Sequence, residues 1–329
     1  MDYCVIGAGA MGGLYGLSLV EAGHSVAFFD VNKEHVDAIN TKGYRLSGVT
    51  GDKTFRVKAT SNPNDLADSS DIVLFHTHTN GTMDGARSAA IILKPEGWAV
   101  SLQNGIGNVE ELVRVLGSKR VVGGISYHSA ALAGPGHAMH TNAGLTLIGE
   151  LDGKHSERVT ALHKTLSECG FAPEISSDIM GVIWSKFVLN CGVNPLCAVS
   201  GLRTGEVARN EAADRLQSII LDEVMSVVEA KGIKLDKKDM VSYVKKLTRL
   251  RYNKPSMQQH IEAGRPTEID SLNGALVREA NALGIAVPFN EALVLMVKAR
   301  ESGMVERATG IEKDYVALES QAELEEKET

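Results

Sequence analysis

Short apolar runs at residues 3–6, 26–29, 72–75, 98–102 and 121–127 are separated by stretches with helical spacing at 12–21, 34–42 and 108–116. Strand, helix, strand in that order predicts a parallel sheet with crossover helices. Two further short strands, at 137–141 and 145–149, are expected to pair as a hairpin that finishes the domain. A helix at 159–169 follows, ended by Gly170. From Asp178 onward the apolar period is helical throughout. LQSIILDEVMSVVEAKG stops at Gly232, and EIDSLNGALVREANALG and PFNEALVLMVKARESG follow the same plan. Pro288 suits a helix start, and Gly284 and Gly303 suit helix ends. The pattern predicts an α/β domain with a doubly wound parallel sheet over 1–172, a short linker within 171–178, and an all-α domain over 178–315. The acidic segment 316–329 has almost no large apolar residues and reads as a frayed tail. The junction between two such halves is a common place for a ligand.

One apolar helical segment breaks its own pattern. SKFVLNCGVN, residues 185–194, carries Lys186, Asn190 and Asn194 four residues apart. That spacing puts all three on one side of a helix. A buried lysine is costly unless something uses its charge. The competing reading is a lysine that reaches outward to solvent beside two helix-end amides.

Composition narrows the classes. A chain of 329 residues is long enough for two domains, and its 43% hydrophobic and 23% charged residues are ordinary for a soluble globular protein. A formal charge of −7 argues against nucleic acid as a partner, since a basic face is the usual footprint. No apolar run approaches the roughly 20 residues of a bilayer span. MDYCVIGAGAMG has no basic leader before its first strand, so no signal peptide is expected. Cys4, Cys169, Cys191 and Cys197 form neither a CxxC pair nor a zinc spacing. They read as free thiols in a reducing cytoplasm, Cys191 as a neutral packed one.

VIGAGAMGGLYG places Gly7, Gly9 and Gly12 as GxGxxG, directly after a strand and at the start of a helix. In that context the glycines permit a tight turn, the approach of a pyrophosphate and close helix–strand packing. The helix N-terminus adds free N–H groups for phosphate. The segment Gly7, Ala8, Gly9, Ala10, Met11, Gly12 is therefore the expected dinucleotide loop of a Rossmann-type domain, against a bare glycine turn. Asp30 follows the second strand, 18 residues beyond Gly12, where a carboxylate accepts the ribose hydroxyls of NAD and repels the 2′-phosphate of NADP. NAD(H) is favoured over NADP(H) on that ground, although Lys33 lies close by. The alternative is that Asp30 merely opens a loop or caps the next helix.

With GAGAMG, LQNGIG at 102–107, PGHAMHT at 135–141, WSKFVLNCGVNPL at 184–196 and NKPSMQQHIEAGRPTEIDSLNG at 253–274, the chain resembles the ketopantoate reductase (2-dehydropantoate 2-reductase) family over nearly its whole length. The resemblance implies a Rossmann domain followed by a helical substrate and dimerisation domain, and reduction of a 2-oxo acid by NADPH or, in some relatives, NADH. It implies Lys186 as proton donor to the substrate carbonyl and Glu268 as the glutamate that helps hold lysine and substrate. Asn190, Asn194, Asn253 and Ser256 match substrate-binding positions, and Asn104 matches the asparagine near the nicotinamide and the reacting carbon. Read alone, Ser256 is a helix N-cap, Glu268 a first-turn acid and Asn104 the start of an Asn–Gly turn. The chemistry agrees with the resemblance, because hydride arriving at a carbonyl carbon creates an alkoxide that needs a cationic or acidic partner.

FHTHTNGT, residues 75–82, departs from the family pattern. His78 stands where the family usually places a lysine close to the cofactor. It reads as a histidine facing cofactor phosphates or substrate, against a solvent-exposed strand-end residue. His76 and His78 form HxH, a possible metal pair, but no third ligand has a convincing spacing, and no metal is expected. Asp30 and His78 together favour a second candidate, an NAD-dependent D-2-hydroxyacid dehydrogenase acting on branched or aromatic 2-oxo acids. A non-catalytic NAD(H) sensor would not need the Lys186 set, and an opine-type dehydrogenase would not share the KPSM and TEID segments. The expected partner is a small 2-oxo acid, in a cytoplasmic homodimer.

Overall fold

The computed structural model describes residues 1–308 and position 319. The acidic segment expected at 316–329 and the end of the helical domain expected at 315 lie outside the described residues, position 319 aside.

The first half runs β1 (Asp2–Ile6), α1 (Ala10–Glu21), β2 (Ser25–Phe29), α2 (Lys33–Lys42), β3 (Tyr44–Gly48), β4 (Lys53–Phe55), β5 (Lys58–Thr60), β6 (Ser70–Phe75), α3 (Thr82–Ile92), β7 (Leu93–Ser101), α4 (Asn108–Leu116), β8 (Val121–Ser126), β9 (Ser129–Gly134), β10 (His137–Asn142), β11 (Leu145–Glu150), α5 (Glu157–Glu168) and β12 (Ala172–Ile175). Eight strands form one sheet in the order β12-β11-β8-β7-β6-β1-β2-β5. All its neighbours are parallel except β8 and β11. The chain leaves β1 toward β2 on one side and returns to build β6, β7 and β8 on the other. The switch point therefore lies at the C-terminal ends of β1 and β6, where ligands of such sheets bind. Side chains of the central strands alternate between two cores. Cys4, Ile6, Val73 and Phe75 face one, and Tyr3, Val5, Ile72 and Leu74 face the other. Burial on both faces explains why these strands read as unbroken apolar runs.

The expected hairpin is not formed. β10 pairs with β3 and β9 in a separate four-stranded sheet, β4-β3-β10-β9, whereas β11 joins the large sheet beside β8 and β12. Only Ala143 and Gly144 separate β10 from β11, and a Cβ on Gly144 would lie 2.3 Å from the Tyr127 carbonyl oxygen, so the chain crosses between sheets there. The small sheet covers the outer side of α1. Cβ atoms at Gly13 and Gly16 would meet Tyr44 of β3 and Phe28 of β2, so α1 packs closely against a strand of each sheet. The expected linker also carries β12, which pairs with β11.

The second half comprises α6 (Ile179–Ser200), α7 (Thr204–Val207), α8 (Glu211–Ala230), α9 (Met240–Leu250), α10 (Ser256–Glu262), α11 (Asn273–Leu283) and α12 (Pro288–Ala308). Asp178 caps α6 by accepting from the Gly181 amide, and Gly284 ends α11 in a left-handed conformation. Gly303 does not end α12, which runs on to Ala308. Glycine in a helix interior costs about 1 kcal/mol relative to alanine but does not terminate it. α6 is 22 residues long and apolar enough to cross a membrane, contrary to the expectation of no such run. Here it is the central helix of a packed domain, and 78% of its most apolar window is buried. Phe187, Val188, Cys191 and Cys197 on α6 share one core with Ile220 and Val224 of α8, Val244 of α9, Leu276 of α11 and one face of the large sheet.

Candidate active site

The glycine-rich loop of residues 7–12 sits at the switch point. Gly7 has φ +90, and a Cβ on Gly12 would lie 2.0 Å from the Gly7 carbonyl oxygen, so helix α1 meets its own entry turn too closely for any side chain. Tyr44 donates to the Ala8 and Gly9 carbonyls, and His35 Nε2 lies 2.6 Å from the Ala8 carbonyl, which fixes the loop from behind. In front it is open: a Cβ on Gly9 would meet nothing within 4 Å. The first turn of α1 carries no capping side chain and no acidic residue, and Ala10 and Met11 are half-exposed. An uncapped N-terminus beside open space fits a pyrophosphate. Asp30 is half-exposed at the end of β2 and its carboxylate accepts from the Asn32 amide at 2.9 Å. Asn32, not Asp30, caps α2.

The catalytic candidates converge from three strand ends and two helical segments. Lys186 Nζ donates to Asn104 Oδ1 at 2.8 Å and to the Ser126 carbonyl at 2.5 Å. It also lies 5.2 Å from the Tyr127 ring centre. Asn104 Nδ2 donates to Glu268 Oε2 at 3.1 Å, so one amide joins lysine to carboxylate. Gly105, at φ +87, makes this possible. It turns the β7 exit so tightly against Ser271 that a Cβ there would lie 2.5 Å from the Ser271 carbonyl. The Asn–Gly turn is thus both a turn and a site element. Burial pushes the Lys186 ammonium down to about 8, and the Glu268 carboxylate opposes that shift.

The strand carrying FHTHTNGT ends at Phe75, and the two histidines part. His76 is half-buried beside Tyr15, with ring centres 4.9 Å apart, and desolvation pushes it down to about 3, so it is neutral. His78 is exposed, and its Nδ1 lies 3.9 Å from Glu268 Oε1. Among the described residues no three potential ligands assemble around a metal position.

The other expected residues are less tightly joined. Asn190 and Asn194 continue the Lys186 face of α6. Asn253 and Ser256 lie exposed on the approach to α10, where Asn253 receives long contacts from Thr204 Oγ1 at 3.4 Å. Ser256 opens α10 but Pro255 occupies the cap position. Sequence reasoning missed His260, on the same face of α10 as Ser256 four residues earlier. Its Nδ1 is buried without a hydrogen-bond partner among the described residues. Burial lowers its affinity for a proton and the nearby Glu268 charge opposes this. Helical spacing from Ser256 was the available signal. Cys191 is a buried neutral thiol, held in its protonated form by desolvation.

This arrangement has close counterparts. The family pattern described as ketopantoate reductase PanE/ApbA matches residues 3–153, and its companion, ketopantoate reductase PanE/ApbA C terminal, matches residues 178–301. A 2-dehydropantoate 2-reductase of Pyrococcus horikoshii is 32% identical over 302 residues, covering 92% of this chain and 98% of that protein. The crystal structure of a PanE/ApbA family ketopantoate reductase from Ralstonia eutropha JMP134 superposes with a TM-score of 0.82 at 31% identity, covering 92% and 99% of the two chains. The ternary structure of a D-mandelate dehydrogenase with NADH and anilino(oxo)acetate does so with a TM-score of 0.83 at 25% identity, over the same shares. The chain belongs to the ketopantoate reductase family.

Proposed function

We propose that the protein reduces a 2-oxo acid to its 2-hydroxy acid, with ketopantoate as the first candidate. Family membership makes it a nicotinamide-dependent oxidoreductase acting on a CH–OH group. The observation that carries the reading is the buried Lys186 ammonium tied through Asn104 to Glu268. Gly7, Ala8, Gly9, Ala10, Met11 and Gly12 would hold the pyrophosphate, Asp30 the ribose, and Asn104 the nicotinamide end. When bound, the reduced nicotinamide supplies the hydride. Lys186 gives its proton to the carbonyl oxygen as negative charge grows there. Glu268 keeps the amine protonated and, with Asn104, aims it. Asn190, Asn194, Asn253 and Ser256 would hold the substrate's carboxylate and hydroxyl groups, which converts a chance encounter into a fixed approach.

A second reading is an NAD-dependent D-2-hydroxyacid dehydrogenase. The D-mandelate dehydrogenase likeness and the Asp30 carboxylate favour it. The test follows absorbance of the reduced nicotinamide with NADH or NADPH, each offered ketopantoate and then a phenyl-substituted or branched 2-oxo acid. Efficient turnover of ketopantoate supports the first reading. A strong preference for the other acids with NADH supports the second, and no oxidation with any pair refutes both.

A further inference from the structure

Each reduction removes one proton from the site. The Lys186 N–H bond breaks, its electron pair stays on Nζ, and the alkoxide becomes a hydroxyl. The neutral amine must regain a proton before the next turnover. Lys186 lies inside, where burial disfavours its charge, and both hydrogen bonds it makes end on oxygens with no proton to give. Glu268 binds the other end of the Asn104 amide through Oε2. Its second oxygen, Oε1, faces His78 Nδ1 at 3.9 Å. The His78 side chain is 77% exposed and that of Glu268 only 19%. His78 caps a 3-10 turn, Thr79–Gly81, without spending its ring on a cap hydrogen bond.

We infer that His78 returns the proton that turnover takes from Lys186, carrying it from bulk solvent to Glu268. This rests on the reductase reading above. Water or a buffer acid protonates the exposed ring. The imidazolium gives its Nδ1 proton to Glu268 Oε1 and returns to neutral imidazole. The carboxylic acid then gives that proton to the Lys186 amine, to which the Asn104 amide joins it. No oxidant or reductant is needed. The charged groups around His78 suit the task. Glu268 attracts its proton from the segment before α11, His260 on α10 feels both Glu268 and His78 as well as Arg265 in the turn after it, and Lys186 on α6 feels the Glu268 charge.

The experiment compares wild type with His78→Gln in single-turnover and steady-state reduction across pH 6–9, using the best nicotinamide and 2-oxo acid pair and adding free imidazole. The exposed position makes a folding failure unexpected, and circular dichroism checks it. The first turnover should keep its rate, because Lys186 begins protonated. Steady-state kcat should fall on the order of tenfold at neutral pH and recover with imidazole. Equal rates in the steady state, an equal loss in the first turnover, or no rescue would overturn the inference while leaving the reductase reading standing. A wild-type protein with no first turnover would instead refute the reading itself.

Discussion

A lysine can act as a proton donor only while it holds its proton. Burial brings Lys186 down to about 8, so the donating ammonium is the dominant form at neutral pH and is lost as pH rises through that value. Single-turnover reduction should therefore be flat below pH 7 and decline above about 8. Glu268 pulls the other way, favouring the charged amine. Glu268→Gln removes that support, and the alkaline limb should move to lower pH. A limb that stays in place would mean the carboxylate charge does not reach the amine. Lys186→Ala should lower kcat by about 10²–10⁴, the usual range for one proton donor, with NAD(P)H affinity nearly unchanged by fluorescence titration. An equal loss of cofactor affinity would refute its role as donor. The polar stripe that made Lys186 conspicuous was legible because amides and a lysine four residues apart contradict an apolar helix. His260 was not, since a lone histidine on a short helix acquires meaning only beside Glu268.

At the scale of elements, the glycines of the first loop divide into two kinds. Gly12 is required by packing, with the Gly7 carbonyl oxygen 2.0 Å from where a Cβ would sit. Gly9 faces open space and is required only by what must approach it. Gly12→Ala should lower the unfolding free energy from urea titration by roughly 3 kcal/mol, because backbone and not a flexible side chain blocks the methyl. Gly9→Ala should leave that free energy within about 0.5 kcal/mol and weaken cofactor binding instead. Loss of stability in both would make the loop merely structural. The parallel strands and the helical half were readable because burial on both faces gives unbroken apolar runs, and amphipathic helices keep one period. The small sheet was not. Strands β3 and β4 are short or mixed in character, and β9 is half-exposed, so local pattern carries little signal. Adjacency misled at β10 and β11, where two strands two residues apart look like a hairpin, but β10 pairs with β9 and β3 while β11 pairs with β8 and β12.

At the scale of the molecule, the candidate residues come together only where the two halves meet. Asn104 comes from the sheet, Lys186 and Glu268 from the helical half, and their hydrogen bonds span 82 and 164 residues of sequence. The core is also shared, with α6 packed on one sheet face and among α8, α9 and α12, so an apolar helix of membrane length is covered by protein. A cofactor seated on the first loop and reaching Asn104 would bind the folded state alone, and ligand at a hundredfold excess over its Kd should stabilise it by about 2.7 kcal/mol, roughly 5 °C in Tm. The variants then separate binding from chemistry. Lys186→Ala should keep the whole thermal shift while losing turnover, and Gly9→Ala should lose the shift. Asp30→Ala should shrink the difference between the NADH and NADPH shifts, because removing the carboxylate removes both the ribose acceptor and the repulsion of a 2′-phosphate. An unchanged difference would show that Asp30, whose carboxylate already accepts from the Asn32 amide, serves the turn into α2 and does not read the ribose.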